Sequence, residues 1–204
     1  MVRGRQSQKR SLKKIIYIFT EGETEKNYFN MLNKKYRTSA TVKVNISSGR
    51  KQGLALLNFA LNKLQSLSES ERKEIDKIYI VFDKDDISVD EMKTILKKIK
   101  SNSYEIEIGF SNSCFEVWLL YHFDKFVPIV KKDVFKKIEE KLRCTQYAKK
   151  HKNDAKLLSQ LEDRIKIALE NTQDFPIFST ANFETVPYTN LGMLVREIYD
   201  RDIY

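Results

Sequence analysis

Only two cysteines occur in the 204 residues, Cys114 and Cys144, and they do not form a CxxC pair. That excludes a disulfide framework and a thiolate zinc site as organising principles. The two histidines, His122 and His151, form no ligand cluster. No apolar run approaches the ~20 residues needed to span a bilayer, so no membrane partner is expected. The basic segment 1–14 lacks the apolar stretch and cleavage site of a secretory signal, so the expected setting is cytoplasmic, with reduced thiols. There is no GxxxxGK[ST] phosphate loop, which argues against P-loop nucleotide hydrolysis, and no G-x-S-x-G elbow. Internal repeats and low-complexity stretches are also missing.

What the chain does have is a pair of acidic clusters, each placed just after a short β-branched run. Ile15-Ile16-Tyr17-Ile18-Phe19-Thr20 leads into Glu21-Gly22-Glu23-Thr24-Glu25, and Ile78-Tyr79-Ile80-Val81-Phe82 leads into Asp83-Lys84-Asp85-Asp86. Runs of this kind read as buried parallel strands. In an open α/β sheet the ligand site lies at the carboxyl ends of such strands. Carboxylates gathered at one sheet edge repel one another, and a divalent cation relieves that repulsion. Hard oxygen donors without Cys or His point to Mg²⁺ or Mn²⁺.

The net charge of +9 is unevenly spread. Segment 1–14 carries six basic residues and no acid, and segment 131–156 carries ten basic residues against four acids. Acids to hold metal, flanked by bases to hold phosphates, suit a polyanionic partner, namely RNA (tRNA among others) or DNA. The plainer account is that Lys-rich helices are solvated faces.

The order of elements predicts an α/β protein. Expected strands cover 14–20, 41–46, 77–82 and 104–110, with helices over 24–36, 52–68 and 88–100, the last opened by the capping box Ser88-Val89-Asp90-Glu91. The result is a mostly parallel four-stranded sheet flanked by helices. A flexible basic arm is expected over 1–13, the α/β domain over 14–126, and a Lys-rich helical extension on the same core over 127–204.

Asp83 and Asp85, two apart in extended chain, would face the same way and ligate one ion. Glu21 ends the first strand, Gly22 lets the chain turn, and Glu25 lies one turn into the next helix. Each acid also has a structural account. Glu23 and Glu25 suit a helix N-terminus, and Glu116 stands third in a second capping box, Ser113-Cys114-Phe115-Glu116. His122 follows an apolar helix as a packing residue, and Cys114 reads as a buried thiol.

These residues resemble known motifs. Thr20-Glu21-Gly22-Glu23-Thr24-Glu25-Lys26-x-Tyr28-Phe29 with Phe82-Asp83-x-Asp85 resembles a TOPRIM domain. Ser111-Asn112-Ser113-Cys114-Phe115-Glu116-Val117-Trp118-Leu119-Leu120-Tyr121-His122-Phe123 and the tail Pro187-Tyr188-Thr189-Asn190 are similar to the hallmarks of the RloB-like family. The resemblance runs from about Lys14 to Ile198, with Val186 standing where a polar residue is expected. It implies a TOPRIM-like sheet and a metal-dependent nuclease of restriction-linked or abortive-infection loci, hence anti-phage defence. It further implies that Glu21 acts as acid or base, and that Asp83 and Asp85 bind Mg²⁺, joined by Glu25 and Glu116; Glu21 is also expected among the metal ligands, on a second ion. A sensor or ATPase partner and a homo-oligomer fit that context. The alternative is a TOPRIM module that binds nucleic acid or protein without cutting.

Overall fold

The computed structural model describes residues 14–203 except 37, 39, 48 and 50; the basic arm expected over 1–13 lies outside them. Strand β1 is Ile15–Thr20, β2 Thr41–Ile46, β3 Ile75–Asp83, β4 Ile106–Asn112 and β5 Tyr188–Thr189. They form one sheet in the order β2-β1-β3-β4-β5, parallel throughout except for β5, which runs antiparallel to β4. Helices are α1 (Glu23–Lys35), α2 (Gly53–Gln65), α3 (Glu69–Lys73), α4 (Val89–Lys100), α5 (Glu116–Tyr121), α6 (Lys131–Lys141), α7 (Ala155–Leu158), α8 (Ile165–Asn171) and α9 (Leu191–Ile203).

The central strands carry continuous apolar runs, Ile15–Phe19 in β1 and Ile78–Phe82 in β3, because both faces are covered there. Ile16, Ile18, Tyr79 and Val81 face a core built with α1, α5, α6, α8 and α9. Ile15, Tyr17, Phe19, Ile78, Ile80 and Phe82 face a second core with α2 and α4. The chain leaves β1 towards β2 on one side and returns across β1 to β3 and β4 on the other. The winding direction therefore reverses between β1 and β3, and the crevice of such a sheet opens there. Helices α6, α8 and α9 of the 127–204 segment bury Val134, Ile138, Ile165, Leu169 and Leu194 in the same core as β1 and β3.

Three expectations need correction. The sheet has five strands, not four, because a two-residue strand is too short to show a periodicity. Strand β4 begins at Ile106, since the Asn102 side chain holds the Tyr104 N–H in a turn and delays pairing. The capping box at Ser88 is half formed. Ser88 accepts from the Glu91 N–H, but the Glu91 carboxylate accepts instead from the Leu54 N–H at the start of α2.

The tail motif has a structural role. The Asn190 side chain accepts from the Phe110 N–H (2.7 Å) and donates to the Ile108 carbonyl (2.6 Å), continuing the ladder where β5 stops. Asn190→Ala leaves both backbone groups on the β4 edge unpaired. A loss of about 2–3 kcal/mol is expected, read as a lowered urea midpoint with an unchanged slope.

Candidate metal centre

The reversal point holds the acids. Glu21 follows β1, and its N–H donates to the Val81 carbonyl of β3 (3.2 Å). Asp83 is the last residue of β3 and is buried. Glu25 projects from the first turn of α1, and Glu116, which is 0% exposed, from the first residue of α5. Glu21, Glu25, Asp83 and Asp85 line one cleft of about 730 Å³, together with Thr24, Gln52, Phe135, Lys152 and Asn153. Glu116 lies behind them, 3.6 Å from the Lys152 ammonium.

Gly22 leaves room for a neighbouring carboxylate. Its backbone is extended (φ −129°), a conformation open to any residue, but a Cβ would lie 2.8 Å from the Glu25 carboxylate. The glycine admits that carboxylate to the cleft.

Two expectations about the acids are revised. Asp83 and Asp85 do not form an extended pair: β3 ends at Asp83, and Asp85 has a left-handed φ of 30° in the following turn. An aspartate tolerates that conformation. Asp85 reaches the cleft from the turn and pairs with Lys131 at 2.7 Å. Lys84 points away, to Glu184 and over the Phe183 ring. Glu116 is not part of a capping box. The N-cap of α5 is Phe115, and neither Ser113 nor another side chain caps it. Instead Glu116 is buried with no hydrogen bond to either carboxylate oxygen.

The same condition extends to its neighbours. Among the described residues, Glu21 Oε2, Glu25 Oε2 and both oxygens of Glu116 are buried without a hydrogen-bond partner. Buried polar atoms are nearly always satisfied, and orphaned ones need a reason. These are hard oxygen donors of the type Mg²⁺ selects. No three cleft acids bring ligand atoms within 4.8 Å of one another. Among the described residues only the exposed Glu105, Glu107 and Glu197 do so. Those three close on the Lys77 ammonium and are satisfied as ion pairs. At that spacing no three of the cleft acids ligate one ion directly, so a Mg²⁺ here would take one or two carboxylates itself and reach the others through its waters.

The electrostatics follow from burial. Burial pushes the Glu25 carboxyl up to about 7, reinforced by the charges of Glu116 and Glu21 and opposed by Lys152. Asp83 is held well above the usual carboxylate range by burial, then by Glu25, Glu116 and Glu21. Glu21 is raised by burial and by Asp85, while the Asp83 N–H, donating to its carboxylate, works the other way. Lys152 shows the converse. Burial alone would weaken its ammonium, but Glu116, Asp83 and Glu25 outweigh that and raise it.

The other candidates are structural. His122, buried between the Tyr28 hydroxyl (3.1 Å) and the Trp118 carbonyl (3.1 Å), is pushed down to about 4 by burial and stays neutral. Burial raises the Cys114 thiol and keeps it protonated. His151, half-buried, pairs with Asp154. Sequence reasoning missed Lys131, Lys152 and Thr24 as site residues. The lysines were counted only as part of a basic segment, because nothing local distinguishes them from the other lysines around them.

The model of one protein family, described as RloB-like protein, matches residues 16–198. No curated protein and no solved structure matches the chain.

A raised carboxylate makes stability depend on pH with a definite sign. Between about 4.5 and about 7 the folded protein holds a proton on Glu25 that the unfolded chain has released. Without divalent ions, stability should therefore fall as pH rises through that window. Glu25→Gln should remove about 2 kcal/mol of that fall. Urea midpoints of both proteins at pH 5 and pH 8 in chelator measure it; equal changes in the two would refute the assignment.

Proposed function

The chain belongs to the RloB-like family, and from that premise we propose that it is a Mg²⁺- or Mn²⁺-dependent nuclease with a TOPRIM-type centre. It cleaves phosphodiester bonds of RNA or DNA, as a cytoplasmic effector of anti-phage defence that a sensor or ATPase partner triggers. The observation that carries this reading is the set of four buried carboxylate oxygens without a hydrogen bond, on Glu21, Glu25 and Glu116 beside Asp83.

In this reading Glu25, Asp83 and Glu116 would hold the ion in part through its waters, and Asp85 supports it from the turn, steadied by Lys131. A bound divalent ion supplies charge neutralisation of the phosphate and acidifies a coordinated water. Glu21 exchanges the proton of the attacking water. Burial raises its carboxyl towards the working pH, where a general base is most effective. Lys149 and Lys150 are exposed on the short π-helix Tyr147–His151, between Ala148 and Lys152, both of which line the cleft, and they grip the nucleic-acid backbone.

One observation favours a second reading. Asp85 and Glu116 already have lysine partners, as they would in a module that binds nucleic acid without cutting it. Salt-sensitive binding with no turnover in any divalent ion would select that module.

Purified protein with Mg²⁺ or Mn²⁺ is expected to cut at least one of tRNA, mRNA, single-stranded DNA and duplex DNA. Asp83→Ala should lower the rate at least about 100-fold while keeping the wild-type circular dichroism spectrum. Identical product profiles from the two proteins on all four substrates would end the nuclease reading.

A further inference from the structure

Among the described residues that line the cleft, Lys152 is the one cation. Its backbone is pinned: the buried Thr24 hydroxyl donates to the Lys152 carbonyl (2.7 Å), and the Asn27 amide donates to the Asn153 carbonyl (3.0 Å). Thr24 stands next to Glu25, so the turn carrying Lys152 is fastened to the helix that carries the acid. The ammonium is far less committed. It lies 3.6 Å from Glu116 Oε1, an ion pair without a hydrogen bond, and 5.9 Å from the Phe135 ring centre. Lys131 differs, being hydrogen-bonded to Asp85 at 2.7 Å.

We propose that Lys152 is the resident counter-cation of this centre: it competes with the divalent ion for the Glu116, Glu25 and Asp83 carboxylates and, where the ion has neutralised them, contacts a non-bridging phosphate oxygen of the substrate. The inference rests on the nuclease reading and adds a substrate-contacting residue to it. An anionic phosphate entering a cleft of carboxylates needs a cation that those carboxylates can release. A pinned backbone with a loosely held ammonium provides one. Lysine suits the role, being a compact point charge on a flexible stem.

The test uses the full chain, Mn²⁺ titrated calorimetrically, and a labelled RNA or single-stranded DNA oligonucleotide whose binding is followed in the presence of Ca²⁺. Lys152→Met should bind Mn²⁺ about tenfold more tightly and the oligonucleotide about fivefold more weakly. Lys152→Arg, whose planar fork holds Glu116 more firmly, should bind Mn²⁺ more weakly than the wild type. A residue that only supports the fold would weaken both affinities together. Mn²⁺ affinity unchanged or weakened in Lys152→Met overturns the proposal. If Lys152→Met does not fold, Thr24→Val, which releases the turn, should move the two affinities in the same opposite directions; no change in either also overturns it. Failure of the wild type to bind Mn²⁺ would sink the nuclease reading itself, whereas uptake lost in Asp83→Asn but insensitive to Lys152 would sink this inference alone.

Discussion

Burying like charges together is the constraint on which the rest of this structure turns. An ionised carboxylate taken out of water costs several kcal/mol unless something compensates it. Here Glu25, Asp83 and Glu116 are all buried around one cleft with Glu21 beside them. The topology leaves them little choice. Strands β1 and β3 are neighbours, the chain winds away from them in opposite directions, and each strand releases its acid at the carboxyl end of that reversal. The folded protein therefore keeps protons on its acids or recruits a cation, and the raised carboxyls of Glu25 and Asp83 express that tension.

Such a charge arrangement persists only on a rigid support, and an aromatic cluster supplies one. Tyr28 of α1 meets Phe115, Trp118 and His122 around α5 edge to face, with ring centres 5.6, 6.1 and 5.6 Å apart. Each such contact adds about 0.5–1.5 kcal/mol beyond burial. The two helices it joins are those that carry Glu25 and Glu116. His122 belongs to this joint, and its neutrality suits a buried hydrogen bond to the Tyr28 hydroxyl. The aromatic run after Cys114 thus does mechanical work for the acids.

The sheet was legible wherever burial imposed a pattern. The continuous apolar runs of β1 and β3, and the leucines of α2 at helical spacing, translate directly into two cores on two faces. Glu21, Glu25, Asp83 and Asp85 were legible as one cleft because strand ends converge by rule. The path by which Asp85 reaches it was not, since a turn with a left-handed residue leaves no periodic trace. Strand β5 and the role of Asn190 were hidden for a related reason: they depend on pairing across 80 residues of sequence. Lys152 was the least visible of all. Its significance comes from a bond between Thr24 and a carbonyl 128 residues away, and composition averages over such bonds.

That bond changes the standing of the Lys-rich segment. Taken by charge alone, residues 131–156 are a basic surface, interchangeable lysine by lysine. In the fold two of them are singled out by opposite commitments. Lys131 is fixed to Asp85 and steadies a strained turn. Lys152 is fixed through its backbone and left loose at its tip. An arginine at 152 would offer Glu116 a planar, bidentate fork and hold it more firmly. Lysine makes the weaker claim, and the proposed exchange of an internal cation for an external one would depend on that weakness. The acids and the basic segment are therefore one electrostatic unit, and the Thr24 hydroxyl is the stitch that joins them.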